Sequence, residues 1–293
     1  MLVTKDMLTA QETKDLLSFF PNGIIALDLE TTGLSPISDR IIEVAAVSLN
    51  KDGEITVFHH YINPEIPIPE RTIAIHQITD EMVADKPKFP EIAQELKDFL
   101  GEIPVIAHNA QFDVGFLMKE ITRAQLHSLE SNIFDSCLLA RSVLKTKEKK
   151  PASFKLSSLA EFFSIPLNHH RALEDATACL RIFAQCIPLV ENEDKHSFIK
   201  SRAFLFNLKS YKKQQMMKLD EKFQLLKEYI PTQKTIYIVY QGGTSGDKPR
   251  PVRPIGIIPL PKGLVLYAEC LLSKTQKSFL LKKIKSVQEQ APT

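Results

Sequence analysis

The sequence predicts an α/β fold with a mixed sheet flanked by helices, followed by a helical linker and a small β-rich part. Three observations predict it. An apolar run at 24–27 precedes two strand-like runs, 41–49 and 55–62, that flank the turn Asn50-Lys51-Asp52-Gly53, which gives a three-stranded antiparallel start. From residue 89 onward, helical and strand periodicities alternate, as they do when helices cover a sheet. After Pro231 the pattern changes to short strands separated by turns. These changes divide the chain into 1–190, 191–230 and 231–293.

In order, residues 4–20 carry an amphipathic pattern that Thr9 or Thr4 can cap, and Pro21-Asn22-Gly23 ends it. The first strand follows, then the loop Ser35-Pro36-Ile37-Ser38-Asp39 and the two further strands. Asn63 to Pro69 is irregular, and Thr79 can cap a short helix. Phe89 to Leu100 places apolar residues on one helical face and Gly101 closes it; Pro104 to Ala107 is a short buried strand. Helices are expected at 114–121, 133–144, 156–163 and 172–187, and connecting helices over 191–230. Beyond them, strands are expected at 236–240, 256–258, 263–271 and 278–284, with the glycine-rich turn Gln241 to Gly246 after the first.

A chain of 293 residues is long enough for two domains, and 44% hydrophobic with 25% charged residues is a globular composition. Charge is unevenly placed. Residues 1–190 hold 18 Lys and Arg against 26 Asp and Glu, a net of −8; residues 191–293 hold 19 against 9, a net of +10. The longest apolar run, Ile255 to Leu272, is broken by Pro259, Pro261, Lys262 and Glu269, so no membrane span is expected. The charged N-terminus lacks the apolar core of a signal peptide, which makes the cytoplasm the expected location. Four cysteines without CxxC spacing argue against a zinc knuckle or a disulfide framework; Cys179 and Cys186 fit the core of a helix.

The chemistry concentrates at Asp28-Leu29-Glu30-Thr31-Thr32-Gly33-Leu34. A strand places Asp28 and Glu30 on one face, where two carboxylates repel and are costly to desolvate unless a cation lies between them. The competing reading ends the strand at Asp28 and solvates both acids. Further candidates come from distant segments: Asp113 at a helix start, Asp175 in the last helix, and His170 five residues before it.

The segments Asp28-x-Glu30-Thr31-Thr32-Gly33-Leu34, His108-Asn109-x-x-Phe112-Asp113 and His170-x-x-x-x-Asp175-Ala176 resemble the three motifs of the DEDDh 3′→5′ exonucleases, and most closely those of the epsilon-type (DnaQ-like) proofreading exonucleases of bacterial DNA polymerases. The resemblance covers about residues 20–190 and implies a ribonuclease H-like fold. It implies two Mg²⁺ ions, with Mn²⁺ as a substitute: Asp28 bridges both, Glu30 and Asp175 hold the nucleophile-side ion, and Asp113 supports the second through water. All-oxygen ligands suit such hard ions. His170 would take the proton from the attacking water, as imidazole can near neutral pH; His169 is read as solvent-facing. Thr31, Leu34, His76 and Asn109 would lie along the terminal nucleotide, although Thr31-Thr32 can simply form the turn and Asn109 can cap the next helix. Asp39, Asp80 and Asp135 read as caps or surface residues.

The expected substrate is the 3′ end of single-stranded or frayed DNA, in proofreading or repair, with a DNA polymerase as an implied partner. Gln224-Leu225-Leu226 matches a clamp-binding peptide poorly. An RNA 3′-end exonuclease of the same family and a vestigial nuclease serving as a nucleic-acid or ligand-binding regulator stay open. In the basic part, Arg250-x-Val252-x-Pro254, Leu266-x-Ala268-x-Cys270, Lys277-x-Phe279 and Lys283-Ile284 resemble a degenerate WYL domain over about residues 234–287, without its Trp-Tyr-Leu signature. That resemblance implies a small Sm-like β-barrel that binds nucleic acid or nucleotide ligands; the other reading is a β-domain that its lysines merely solvate.

Overall fold

The structure is a computed structural model, and it describes residues 7–126, 129–167, 171–211, 219, 221–232, 234–242 and 248–290. Helix α1 (Ala10–Phe19) begins with a reciprocal cap: Thr9 Oγ1 accepts from the Glu12 N–H at 3.2 Å, and the Glu12 carboxylate accepts from the Thr9 N–H at 2.7 Å. Strands β1 (Gly23–Thr31), β2 (Ile41–Asn50) and β3 (Ile55–Tyr61) form the expected antiparallel start. Two short helices, α2 (Glu70–His76) and α3 (Asp80–Val83), precede α4 (Phe89–Leu100). Next come β4 (Val105–Ala107), α5 (Gln111–Arg123), β5 (Asn132–Asp135), α6 (Ser136–Leu144), α7 (Leu156–Phe162) and α8 (Ala172–Cys186). Strand β4 runs parallel to β1, and β5 parallel to β4. The sheet is therefore mixed.

Two apolar layers cover its faces. Ile24 and Ala26 of β1 pack in one layer with α1, α6, α7 and α8, while Ile25, Leu27 and Leu29 pack in the other with α4 and α5. The period of two thus makes one strand serve both cores. Glu12 joins α1 to α8 by accepting from Arg181 at 3.0 Å and Gln185 at 3.1 Å.

The stretch 191–230 departs from the expected connecting helices. Helix α9 (Lys195–Ala203) leads into β6 (Phe204–Asn207), which pairs antiparallel with β5 and completes the order β3-β2-β1-β4-β5-β6. Phe204, Leu205 and Phe206 offer β-favouring side chains at an open sheet edge, and that edge decides the conformation. The expected helix at 133–144 also begins three residues later, because Ile133 and Phe134 fill β5 and Asp135 caps α6 through Leu138 N–H at 3.1 Å.

After α10 (Gln224–Thr232), strands β7 (Ile236–Tyr240), β8 (Arg250–Leu260), β9 (Gly263–Cys270), β10 (Thr275–Leu280) and β11 (Ile284–Gln288) form an antiparallel sheet in the order β10-β9-β8-β7-β11. Residues 243–247 of the expected glycine-rich turn lie outside the described residues. Strand β8 is longer than its prolines suggested. It pairs with β7 only over residues 250–252, so Pro254 and Pro259 need no donor on that side.

A register shift between Pro254 and Gly256 reverses which residues of β8 face inward. Val252 and Ile257 point into the small core with Leu266, Ala268 and Phe279, whereas Ile258, Leu260 and Val265 point outward and pack against Phe112 and Phe206. This sheet is apolar on both faces. Its outer face lies on α5 and the loop after β1, where β8 passes so close that a Cβ added at Gly256 would fall 2.2 Å from the Leu34 carbonyl oxygen and one at Gly115 2.7 Å from Ile258. Two hydrogen bonds fix the docking: Ile257 N–H donates to Ser35 Oγ at 3.3 Å, and Tyr211 O–H to the Pro259 carbonyl at 3.1 Å. Among the described residues, no helix is long and apolar enough to cross a membrane.

Candidate active site

The row Ile24, Ala26, Asp28, Glu30 on one face of β1 begins as core and ends as site. Helix α8 covers its first half and brings Asp175, in its first turn, beside the second. One carboxylate oxygen each from Asp28, Glu30 and Asp175 lie within 4.8 Å of one another. Asp113 enters from the first turn of α5 and accepts a hydrogen bond from the Leu29 backbone. All four expected acids therefore meet at the C-terminal ends of β1 and β4, where open α/β sheets offer a crevice.

The acids hold protons poorly suited to solution. Burial, then Asp113, Asp175, Glu30 and Glu43, raise the Asp28 carboxyl well above its ordinary value. Burial and the charges of Asp175, Glu43 and Asp113 push Glu30 to about 8, and burial outweighs two backbone hydrogen bonds to push Asp113 to about 8. Such a cluster is relieved by a cation, and its all-oxygen donor set fits a hard divalent one.

Three further side chains hold this cluster in place: Glu43 and His108, given no role from the sequence, and Asp135, read there as a cap or surface residue and here the cap of α6. Glu43 of β2 stands opposite Glu30, is buried, and is shared between His59 Nε2 at 2.7 Å and the Ala172 N–H at 3.3 Å. It thereby anchors the start of α8, which carries Asp175. An acid within the apolar run Ile41-Ile42-Glu43-Val44-Ala45 was the available signal. Asp135 accepts from the Ala110 N–H at 3.1 Å and so fixes the entry to α5. His108 lies 3.0 Å from the Phe154 carbonyl through Nε2 and 2.8 Å from Ser136 Oγ through Nδ1. A carbonyl only accepts, so Nε2 carries the proton and Nδ1 accepts from Ser136. Burial lowers the imidazole to about 4, which keeps it neutral and unsuited to proton transfer near pH 7.

The other predicted residues divide between two adjoining cavities. Asn109 and Leu34 line the larger, about 540 Å³, with the acids; Thr31, Leu34 and His76 line the second, about 300 Å³, which shares Leu29, Glu30, Phe112 and Ile255 with the first. Thr31 Oγ1 donates to the Gly33 carbonyl at 2.6 Å, so it also forms the turn. His76 is buried and accepts from the Ile78 N–H through Nδ1 at 3.0 Å. Asn109 does not cap α5: the helix has no side-chain cap, and Asn109 instead takes a left-handed φ of 59°. His169 and His170 lie outside the described residues. The larger cavity is closed on its far side by Ile258, Leu260, Val265, Tyr267 and Ser278 of the C-terminal sheet. Nothing in the sequence linked these residues to the carboxylates.

Comparison with known proteins places the first part of the chain among exonucleases. A family model described as Exonuclease (RNase_T) matches residues 25–183. DNA polymerase III subunit epsilon of Treponema pallidum is 34% identical over 172 residues, covering 58% of this chain and 79% of that protein. DNA polymerase III PolC-type of Caldanaerobacter subterraneus is 35% identical over 164 residues, 56% of this chain but only 11% of the polymerase. Among solved structures, an Exonuclease I aligns over 92% of this chain and 64% of its own with a TM-score of 0.54 at 15% identity. The nuclease domain of 3′hExo, a DEDDh family member bound to rAMP, aligns over 58% of this chain and 94% of its own with a TM-score of 0.50 at 20% identity. These structural likenesses establish a ribonuclease H-like fold.

Proposed function

The chain belongs to the RNase_T exonuclease family, and from that premise we propose that it hydrolyses phosphodiester bonds stepwise from the 3′ end of single-stranded or frayed DNA in the cytoplasm. One observation carries the reading: Asp28, Glu30 and Asp175 converge within 4.8 Å at the floor of a cavity whose walls are apolar. A phosphodiester supplies the anionic oxygens that a cation-loaded carboxylate cluster binds, and its bases supply the flat apolar faces.

Asp28, Glu30, Asp113 and Asp175 would hold two Mg²⁺ ions, or Mn²⁺ in their place. When bound, such ions neutralise phosphate charge, lower the pKa of bound water and stabilise the departing oxygen. The protein's own groups do the rest. Glu43 and Asp135 fix the helix starts that present Asp175 and Asp113. Thr31, Leu34, His76 and Asn109 line the space for the terminal nucleotide. His170 would receive the proton of the attacking water, and neutral His108, bound at both nitrogens, leaves that role to it.

The relatives that are parts of DNA polymerase III support a role beside a polymerase in proofreading or repair. The test is digestion of 5′-labelled single-stranded DNA and RNA in Mg²⁺, Mn²⁺ or EDTA. A ladder shortening from the 3′ end of DNA, abolished by EDTA, is expected. Preference for RNA would move the assignment to RNA 3′ ends, and no digestion of either strand would overturn it.

A further inference from the structure

The C-terminal sheet does more at the site than close it. Its outer face brings Ile258, Val265 and Tyr267 to line the larger cavity together with Phe112, Leu138 and Leu34. Leu34 is 48% exposed and Leu138 36% exposed, so apolar surface is left open within reach of four carboxylates. A ligand that satisfies both must carry anionic oxygens and flat apolar faces at once. The second cavity already holds Thr31 and His76, the side chains read against the terminal nucleotide, and the two cavities meet at Glu30. Leu34 and Asn109, also read against that nucleotide, line the nuclease side of the larger cavity, so its wall of C-terminal residues is left for the strand on the other side of the scissile phosphate.

Resting on the exonuclease reading, we propose that Tyr267, backed by Ile258 and Val265, is a specificity-determining residue that stacks on the base upstream of the scissile phosphate and admits only an unpaired strand. The wall has no slack to widen, because Gly256 sits against the Leu34 backbone and Gly115 against Ile258. The cavity, about 540 Å³, falls in the range of roughly 300–1,000 Å³ typical of ligand sites. Aromatic stacking suits this task because every base has a π-face, so the contact selects unpaired bases without reading sequence.

The test uses the full chain, wild type and with Tyr267→Phe, Tyr267→Leu or Tyr267→Ala. Affinity for a fluorescein-labelled ten-nucleotide DNA strand is measured in Ca²⁺, and turnover in Mg²⁺ on that strand and on the p-nitrophenyl ester of thymidine 5′-monophosphate, which has no upstream nucleotide. Tyr267→Phe should match wild type, while Tyr267→Leu and Tyr267→Ala should weaken strand binding by roughly 5- to 150-fold, the worth of one stacked base. Hydrolysis of the ester should fall less than strand binding in Tyr267→Leu and Tyr267→Ala, and a blunt duplex should compete more weakly than the strand. Unchanged strand affinity in Tyr267→Leu, an equal loss on ester and strand, or equal competition by the duplex would each overturn the proposal. If the wild type binds the strand through Tyr267 yet cleaves neither substrate, the exonuclease reading fails while the stacking wall stands.

Discussion

The two sides of the larger cavity are built on opposite principles. On the nuclease side four acids share a buried space, and burial and neighbouring charges hold the protons of Asp28, Glu30 and Asp113 on; this half is uncomfortable until a cation arrives. On the C-terminal side Ile258, Leu260 and Val265 are buried against Phe112 and Phe206, so that half gains stability from being where it is. Chemistry and docking are thereby separated. Changes on the first side should reduce activity and spare or raise stability, and changes on the second should lower stability or strand binding while affecting chemistry at the acids less.

The largest effect is expected at Asp28. Asp28→Ala should abolish cleavage while raising the melting temperature of the metal-free protein, since one of the repelling carboxylates is gone. Scanning fluorimetry in EDTA beside a digestion assay checks both, and a lower melting temperature would break the contrast between the two sides. His170→Ala should lower turnover by roughly 10²–10⁴, the worth of a general base, and leave Mn²⁺ affinity unchanged by titration calorimetry. Should His169→Ala be the damaging change instead, the proton acceptor has been assigned to the wrong residue.

On the C-terminal side, Gly256→Ala places a methyl 2.2 Å from the Leu34 carbonyl oxygen, a backbone atom that cannot turn aside. Overpacking of this kind typically costs about 1–3 kcal/mol. A fall in denaturation midpoint, with hydrolysis of the thymidine ester less affected than that of a strand, is expected; a normal midpoint would show the sheet to be loosely held. The smallest effect concerns pH. Glu30 and Asp113 have folded-state values near 8, above their ordinary values of 4.5 and 3.8, so the stability tied to their protonated forms is full at low pH and is lost as pH rises through about 8. Melting curves of metal-free protein between pH 5 and 8.5 should slope downward, and saturating Mg²⁺ should flatten them. A slope that survives in Asp28→Ala but is unaltered by Mg²⁺ would place its source elsewhere.

Cutting the chain after Pro188 cannot isolate the basic part from the nuclease. Strand β6 completes the first sheet, Tyr211 bonds Pro259, and the outer face of β8 and β9 walls the site. Single substitutions at the wall are the cleaner probe.

What the sequence determined by itself was local. The period of two put Asp28 and Glu30 on one face, and the apolar spacing of 89–100 matched α4 residue for residue; of the two caps the sequence offered, Thr4 and Thr9, the structure uses Thr9. The motifs around Asp28, Asp113 and Asp175 named acids that do converge. Other features depended on contacts between segments far apart in the chain. Phe204 to Asn207 became a strand because β5 presented an open edge, and Glu43 became an anchor because Ala172 arrived 129 residues later with a free N–H. The shift at Pro254–Gly256 turned Ile258 outward, where only the packing of β8 against α5 could put it opposite the carboxylates. Periodicity records which residues share a face of one element; which faces meet is settled by burial summed over the whole chain, and that is why the acids were legible and the wall before them was not.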